Sequence, residues 1–139
     1  MFITDTYIIE NLTILEESKS NGTMKIAGIF QRADTPNHNK RIYERKLLLR
    51  EIGRLDEAVK ERRLMGELDH PSHDAIKLQN VSHLVTKLTM KGDDMMGEAE
   101  LLNTPPGQVA QALIRGGVKL GISSRGMGTL TEVEQGFAM

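Results

Sequence analysis

The chain has no cysteine and no tryptophan, four prolines, and only three phenylalanines and two tyrosines among 139 residues. Without cysteine there is no disulfide, no thiolate ligand for zinc and no cysteine nucleophile, so nothing depends on an oxidising compartment. No excess of charge of either sign exists: 18 Lys and Arg face 19 Asp and Glu, a formal net charge of -1. Balanced charge and scarce aromatics supply neither the electrostatic footprint nor the stacking platform of a nucleic-acid binder. No apolar run approaches the length of a membrane span. Met1-Phe2-Ile3-Thr4-Asp5 carries neither the charged nor the apolar region of a secretory signal. The expectation is a soluble intracellular protein without nucleic-acid or membrane partners.

What is present describes an ordinary globular chain, 39% hydrophobic and 27% charged, long enough to bury a core as one domain over 1–139. Gln135-Gly136-Phe137-Ala138-Met139 reads as the first residues of a strand, as expected of a domain cut short at its C-terminal end. Tyr7 to Leu15 and Met24 to Phe30 read as strands around the turn signal Ser18-Lys19-Ser20-Asn21-Gly22. Leu48, Ile52, Leu55 and Val59 recur at helical spacing and predict an amphipathic helix from about Tyr43 to Arg63, with Glu, Lys and Arg around the rest. A compact irregular segment, Met65 to Pro71, follows. Val81 to Met90 and Met95 to Leu102 predict a hairpin about Lys91-Gly92-Asp93-Asp94. Thr104-Pro105-Pro106 predicts a capped helix start, and Gly116-Gly117 its end after Arg115. Val118 to Ile122 reads as a short strand opening into Ser123-Ser124-Arg125-Gly126. Strands outnumber helices, so the fold class expected is α+β, mainly an antiparallel sheet or barrel with inserted helices.

Two places carry candidate chemistry. His70 follows an acid and precedes Pro71, which biases it away from helix and fixes the path of a loop. A near-neutral imidazole held there suits proton transfer, and serves equally as a plain surface-loop histidine. Ser123 and Ser124 are adjacent hydroxyls expected at a turn flanked by Gly121, Gly126 and Gly128. Such a turn lets backbone N–H groups face a developing oxyanion, with Arg125 adding positive charge. Taken alone it is a glycine-rich turn with solvated serines. The Gly126-Met127-Gly128 run lacks the lysine of a phosphate loop. Glu67, Asp69, His70 and His73 raise a metal reading, but Pro71 forbids the helix on which zinc histidines are usually spaced. His83 reads as a packed strand histidine, and the scattered methionines read as core.

In order, Gly66-Glu67-Leu68-Asp69-His70-Pro71 and, about fifty residues on, Gly117-Val118-Lys119-Leu120-Gly121-Ile122-Ser123-Ser124-Arg125-Gly126-Met127-Gly128 resemble the prohead core proteases of tailed bacteriophages. Gly28-Ile29-Phe30, Asn37-His38-Asn39-Lys40-Arg41-Ile42-Tyr43, the Lys91-Gly92 turn and Gly97 extend the likeness from about Ile26 to Leu130. The resemblance implies a fold similar to the herpesvirus assemblins. It places the family's histidine on His70 and its serine on Ser123, with Ser124 as the alternative one register step away. Arg125 and Gly126 would then support the oxyanion and substrate. It also implies phage scaffold, core and capsid proteins as substrates, cut within the assembling prohead in the host cytoplasm, often after glutamate, with self-processing.

The family continues past its serine through further strands, whereas this chain stops about fifteen residues after it. The third catalytic member is therefore expected at Glu98, Glu100 or His83, or beyond the chain. No cofactor is expected and room is left for a homo-oligomer. The rival readings are a non-catalytic core or scaffold assembly module, and a metal-dependent hydrolase using His70 and His73.

Overall fold

A computed structural model describes residues 2–8, 10–18, 20–34, 43–68, 78–129, 132–133 and 136–138, with side chains for 12–18, 20–34, 43–68 and 78–120. Within these residues the order is β1 (Phe2–Ile8), β2 (Glu10–Ser18), β3 (Thr23–Arg32), α1 (Arg45–Lys60), β4 (Met65–Glu67), a 3₁₀ turn (Leu78–Asn80), β5 (Val81–Lys91), β6 (Asp94–Leu101), α2 (Pro105–Arg115), β7 (Gly121–Thr129), β8 (Glu132–Val133) and β9 (Gly136–Ala138). The architecture is α+β, as expected. A five-stranded antiparallel sheet runs β2-β3-β6-β5-β4, and a second, four-stranded sheet is built around β7.

Tyr7 to Leu15, read from sequence as one strand, belongs to two. β1 pairs with β7 in one sheet and β2 pairs with β3 in the other. Periodicity registers an extended chain but not its neighbour, so the change of sheet near Ile8 leaves no local mark. β4 is a second difference, a three-residue strand where an irregular segment was expected.

The core lies where α1 and α2 cover one face of the five-stranded sheet. Met24, Ile26, Phe30, Val85, Leu88, Met95, Ala99 and Leu101 from the strands meet Leu55 of α1 with Ala110 and Ile114 of α2. Alternation along β6 makes that face. Met95, Gly97, Ala99 and Leu101 are buried, while Met96, Glu98 and Glu100 on the other face are half-buried. Helix α1 forms on the predicted stripe, with Leu48 and Leu55 buried and Ile52 and Val59 against the core. Glu51 departs from the polar-rim expectation. It is buried, and Arg54 on the next turn holds it at 2.8 Å.

Both expected turn devices are present. Gly92, at φ 64°, opens the two-residue turn between β5 and β6, where Lys91 faces Asp94. Thr104 caps α2 by accepting from the N–H of Gly107 at 3.0 Å, and its hydroxyl donates to the Val81 carbonyl at 2.6 Å. One side chain therefore starts the helix and seats it on β5.

Candidate active site

Ser123 and Ser124 do not leave a strand into a turn. They sit inside β7, which runs unbroken from Gly121 to Thr129 through its glycines. The glycine-rich composition suggested a turn, but pairing on both edges holds the segment extended. On one edge Ser123 faces Thr6, Ser124 faces Asp5 and Arg125 faces Thr4 of β1. On the other edge the same residues face Ala138, Phe137 and Gly136 of β9.

This placement changes the backbone available to an oxyanion. Inside a strand paired on both sides, N–H groups are consumed by the ladders. Along the β8/β9 edge, pairing with β9 ends at Arg125 and pairing with β8 begins at Gly128. On the opposite edge Gly126 and Met127 pair with Ile3 and Phe2 of β1. Gly126, expected from sequence to support the oxyanion, is therefore a member of the β1–β7 ladder.

His70, with Asp69, Pro71 and His73, lies outside the described residues, so the predicted histidine–serine pair and the His70/His73 alternative are placed only by what flanks them. β4 ends at Glu67, and His70 follows Glu67 by three residues in sequence. β4 is an edge of the five-stranded sheet and runs within 8 Å of β9, the strand paired with Ser123 to Arg125. The start of the histidine segment and the serine strand are thus neighbours, with β9 between them.

The three residues expected as possible third members separate clearly. Glu98 is 35% exposed and faces Lys87 across the strands at 3.9 Å. It also lines a shallow open pocket with Ala27, Lys87, Thr89, Met96 and Gly97. Glu100 is 12% exposed and ion-paired with Arg62 at 3.2 Å. His83 is fully buried on β5, register partner of Gly66 on β4 and Leu101 on β6, with Nδ1 hydrogen-bonded to the Ser82 hydroxyl at 2.8 Å. The Ser82–His83 pair is a serine and a histidine in contact, yet both are sealed from solvent and from any peptide. It is a packed histidine, as read from sequence.

Glu67 was noticed in the sequence only as part of a metal cluster. In the structure it is 1% exposed at the end of β4. The signal that could have found it is a lone carboxylate between Met65-Gly66 and Leu68, where an apolar residue would suit a buried strand. Among the described residues no group of three or more potential metal ligands forms, and no helix is long and apolar enough to cross a membrane.

The structure thus holds two antiparallel sheets, with the serine pair on β7 in one and β4, the strand that precedes His70 in sequence, at the edge of the other. The chain belongs to the prohead core protein serine protease family, whose model matches residues 3–139. It is similar to the prohead core protein protease of Enterobacteria phage T4, 32% identical over 138 residues, which cover 94% of this chain. The chain spans 65% of that relative's length. It is similar as well to the solved structure of the bacteriophage T4 capsid assembly protease, with a TM-score of 0.82 and 26% identity over 99% of this chain and 92% of that one.

Proposed function

We propose that the chain is a serine endopeptidase of prohead maturation, with His70 as general base and Ser123 or Ser124 as nucleophile. The observation that carries this reading is the contiguity of β4, β9 and β7. β4, which ends three residues before His70, lies beside β9, and β9 pairs with the strand holding both serines. His70 takes the proton of the serine hydroxyl as its oxygen attacks a peptide carbonyl carbon, and later delivers that proton to the leaving amine. The oxyanion draws on backbone N–H groups near Ser124 to Gly126. Water then releases the acyl group. The substrates are phage core, scaffold and capsid proteins, including the protease's own precursor, and the place of action is the assembling prohead in the host.

The test is labelling by a fluorophosphonate, which reacts only with an activated serine, together with cleavage of a phage core protein with and without chelator. Ser123→Ala, Ser124→Ala and His70→Ala are compared with the parent. One serine variant and the histidine variant should lose at least about 10³-fold in rate, with chelator inert. Parent-like rates in both serine variants would sink the proposal. Loss with chelator alone would hand the chain to a metal-dependent hydrolase using His70 and His73. An intact parent that neither labels nor cleaves would favour an assembly module.

A further inference from the structure

We propose that Asn21 is a site of spontaneous covalent modification, converting through a cyclic imide with Gly22 into aspartate or isoaspartate. The proposal stands independently of the protease reading. Asn21 alone among the asparagines precedes glycine; the others precede Leu12, His38, Lys40, Val81 and Thr104. A side chain on the following residue hinders approach of its backbone nitrogen to the amide, and glycine has none.

The turn between β2 and β3 adds what residue identity does not supply. Oδ1 of Asn21 accepts from the Thr23 hydroxyl at 2.8 Å and from the Thr23 backbone N–H at 3.3 Å. These bonds fold the carboxamide back over the Gly22 peptide, as in an Asx turn. When the Gly22 nitrogen attacks Cγ, negative charge develops on Oδ1, and both donors already point at that atom. One bond opposes the reaction. The Gly22 N–H donates to the Ser18 carbonyl at 2.9 Å, and this pair must part before the nitrogen reacts. Asn21 is exposed, so water reaches the site and ammonia leaves it freely.

The reaction is balanced by water alone. The Gly22 nitrogen gives up its proton and bonds to Cγ of Asn21. The Cγ–Nδ2 bond breaks, and Nδ2 leaves as ammonia with a proton in place of the one lost. Water then adds to one of the two imide carbonyls. Breaking the new Cγ–nitrogen bond gives aspartate, whereas breaking the original peptide bond gives isoaspartate, in which the chain runs through Cγ. Isoaspartate inserts one extra atom into the backbone ahead of Gly22, and Gly22 is closely fitted. It sits at φ 69°, a Cβ on it would meet the Asn103 side chain, and its carbonyl accepts from Gln111 of α2 at 2.8 Å. Conversion therefore loosens α2 from the β2–β3 turn.

The experiment holds the folded chain at neutral and mildly alkaline pH and follows Asn21 by peptide mass mapping and isoaspartyl methyltransferase labelling. The chain unfolded in urea is the reference. Asn21 should convert in the folded chain, and faster at the higher pH, because the Gly22 nitrogen must lose its proton. Thr23→Val removes one donor at nearly constant volume and should slow conversion about 3- to 10-fold, while Thr23→Ser should stay within about twofold of the parent. Chains carrying isoaspartate should unfold about 2–8 °C below unconverted chains, whereas Asn21→Asp, with a regular backbone, should stay within about 1 °C. An intact Asn21 in the folded chain, once the urea-unfolded chain has converted, would overturn the site. A Thr23→Val rate equal to the parent's would overturn the part given to the turn, and isoaspartate chains unfolding at the parent midpoint would overturn the effect on α2. If Thr23→Val does not fold, conversion of Asn21 in the folded parent decides.

Discussion

Gly97 lies against the ring of Phe30, and a Cβ built there would overlap ring carbons. The contact sets the distance at which β6 accepts a phenylalanine into the helix-covered core, so the demand is for space and not for an unusual backbone. Gly97→Ala should cost about 1–3 kcal/mol in denaturant unfolding, through displacement of Phe30. A midpoint equal to the parent's would show that the ring moves freely. Burial decides residue identity just as sharply for the histidines. His70 and His83 have the same chemistry, but His83 is sealed in the sheet against Ser82 and cannot meet a substrate. Sequence read His83 as a packed strand histidine from its aliphatic neighbours, as the structure has it, whereas His70 lies outside the described residues. The burial of Glu67 was not legible, because burial of one carboxylate follows from the partner strands and not from its neighbours in sequence.

At the scale of elements, α2 is tied to the β2–β3 turn by one buried side chain. The Gln111 amide donates to the carbonyls of Gly22 at 2.8 Å, Leu102 at 3.2 Å and Leu101 at 3.3 Å, and its oxygen accepts from Arg115 at 3.0 Å. Arg115 continues to Glu17 of β2 at 2.7 Å. Gln111→Leu keeps the volume but strands these buried carbonyls, so a loss of about 1–3 kcal/mol is expected in thermal or chemical unfolding. A neutral outcome would mean that water replaces the amide. Elements with strong local signals were legible: the α1 stripe, the Thr104 cap and the β5–β6 turn. β4 was not, being too short to show a period, and β7 was mistaken for a turn because its glycines are tolerated only through pairing with β1 and β9.

For the molecule as a whole, β9 bridges the two sheets, paired with β7 and passing beside β4. Among the described side chains the large apolar cluster lies between the helices and the five-stranded sheet. Phe137→Pro removes a backbone donor opposite Ser124. It should reduce fluorophosphonate labelling at least about tenfold, because the β7–β9 ladder beside the serines is broken. Equal labelling in that variant would show that β9 does not support the serine strand.

The amino-acid sequence by itself determined the α+β class, the two helices, the Thr104 cap of the second, the β5–β6 hairpin and the ordered motifs around His70 and Ser123-Ser124. Each of these depends on local propensity, periodicity or residue identity, which a linear chain carries in full. Only the tertiary structure decided that one N-terminal run serves two sheets, that the serines belong to a strand paired on both edges, and that Glu67 is buried at the end of β4. Those are relations between segments far apart in the chain, set by which edges find partners and which faces are covered, and no local pattern encodes them.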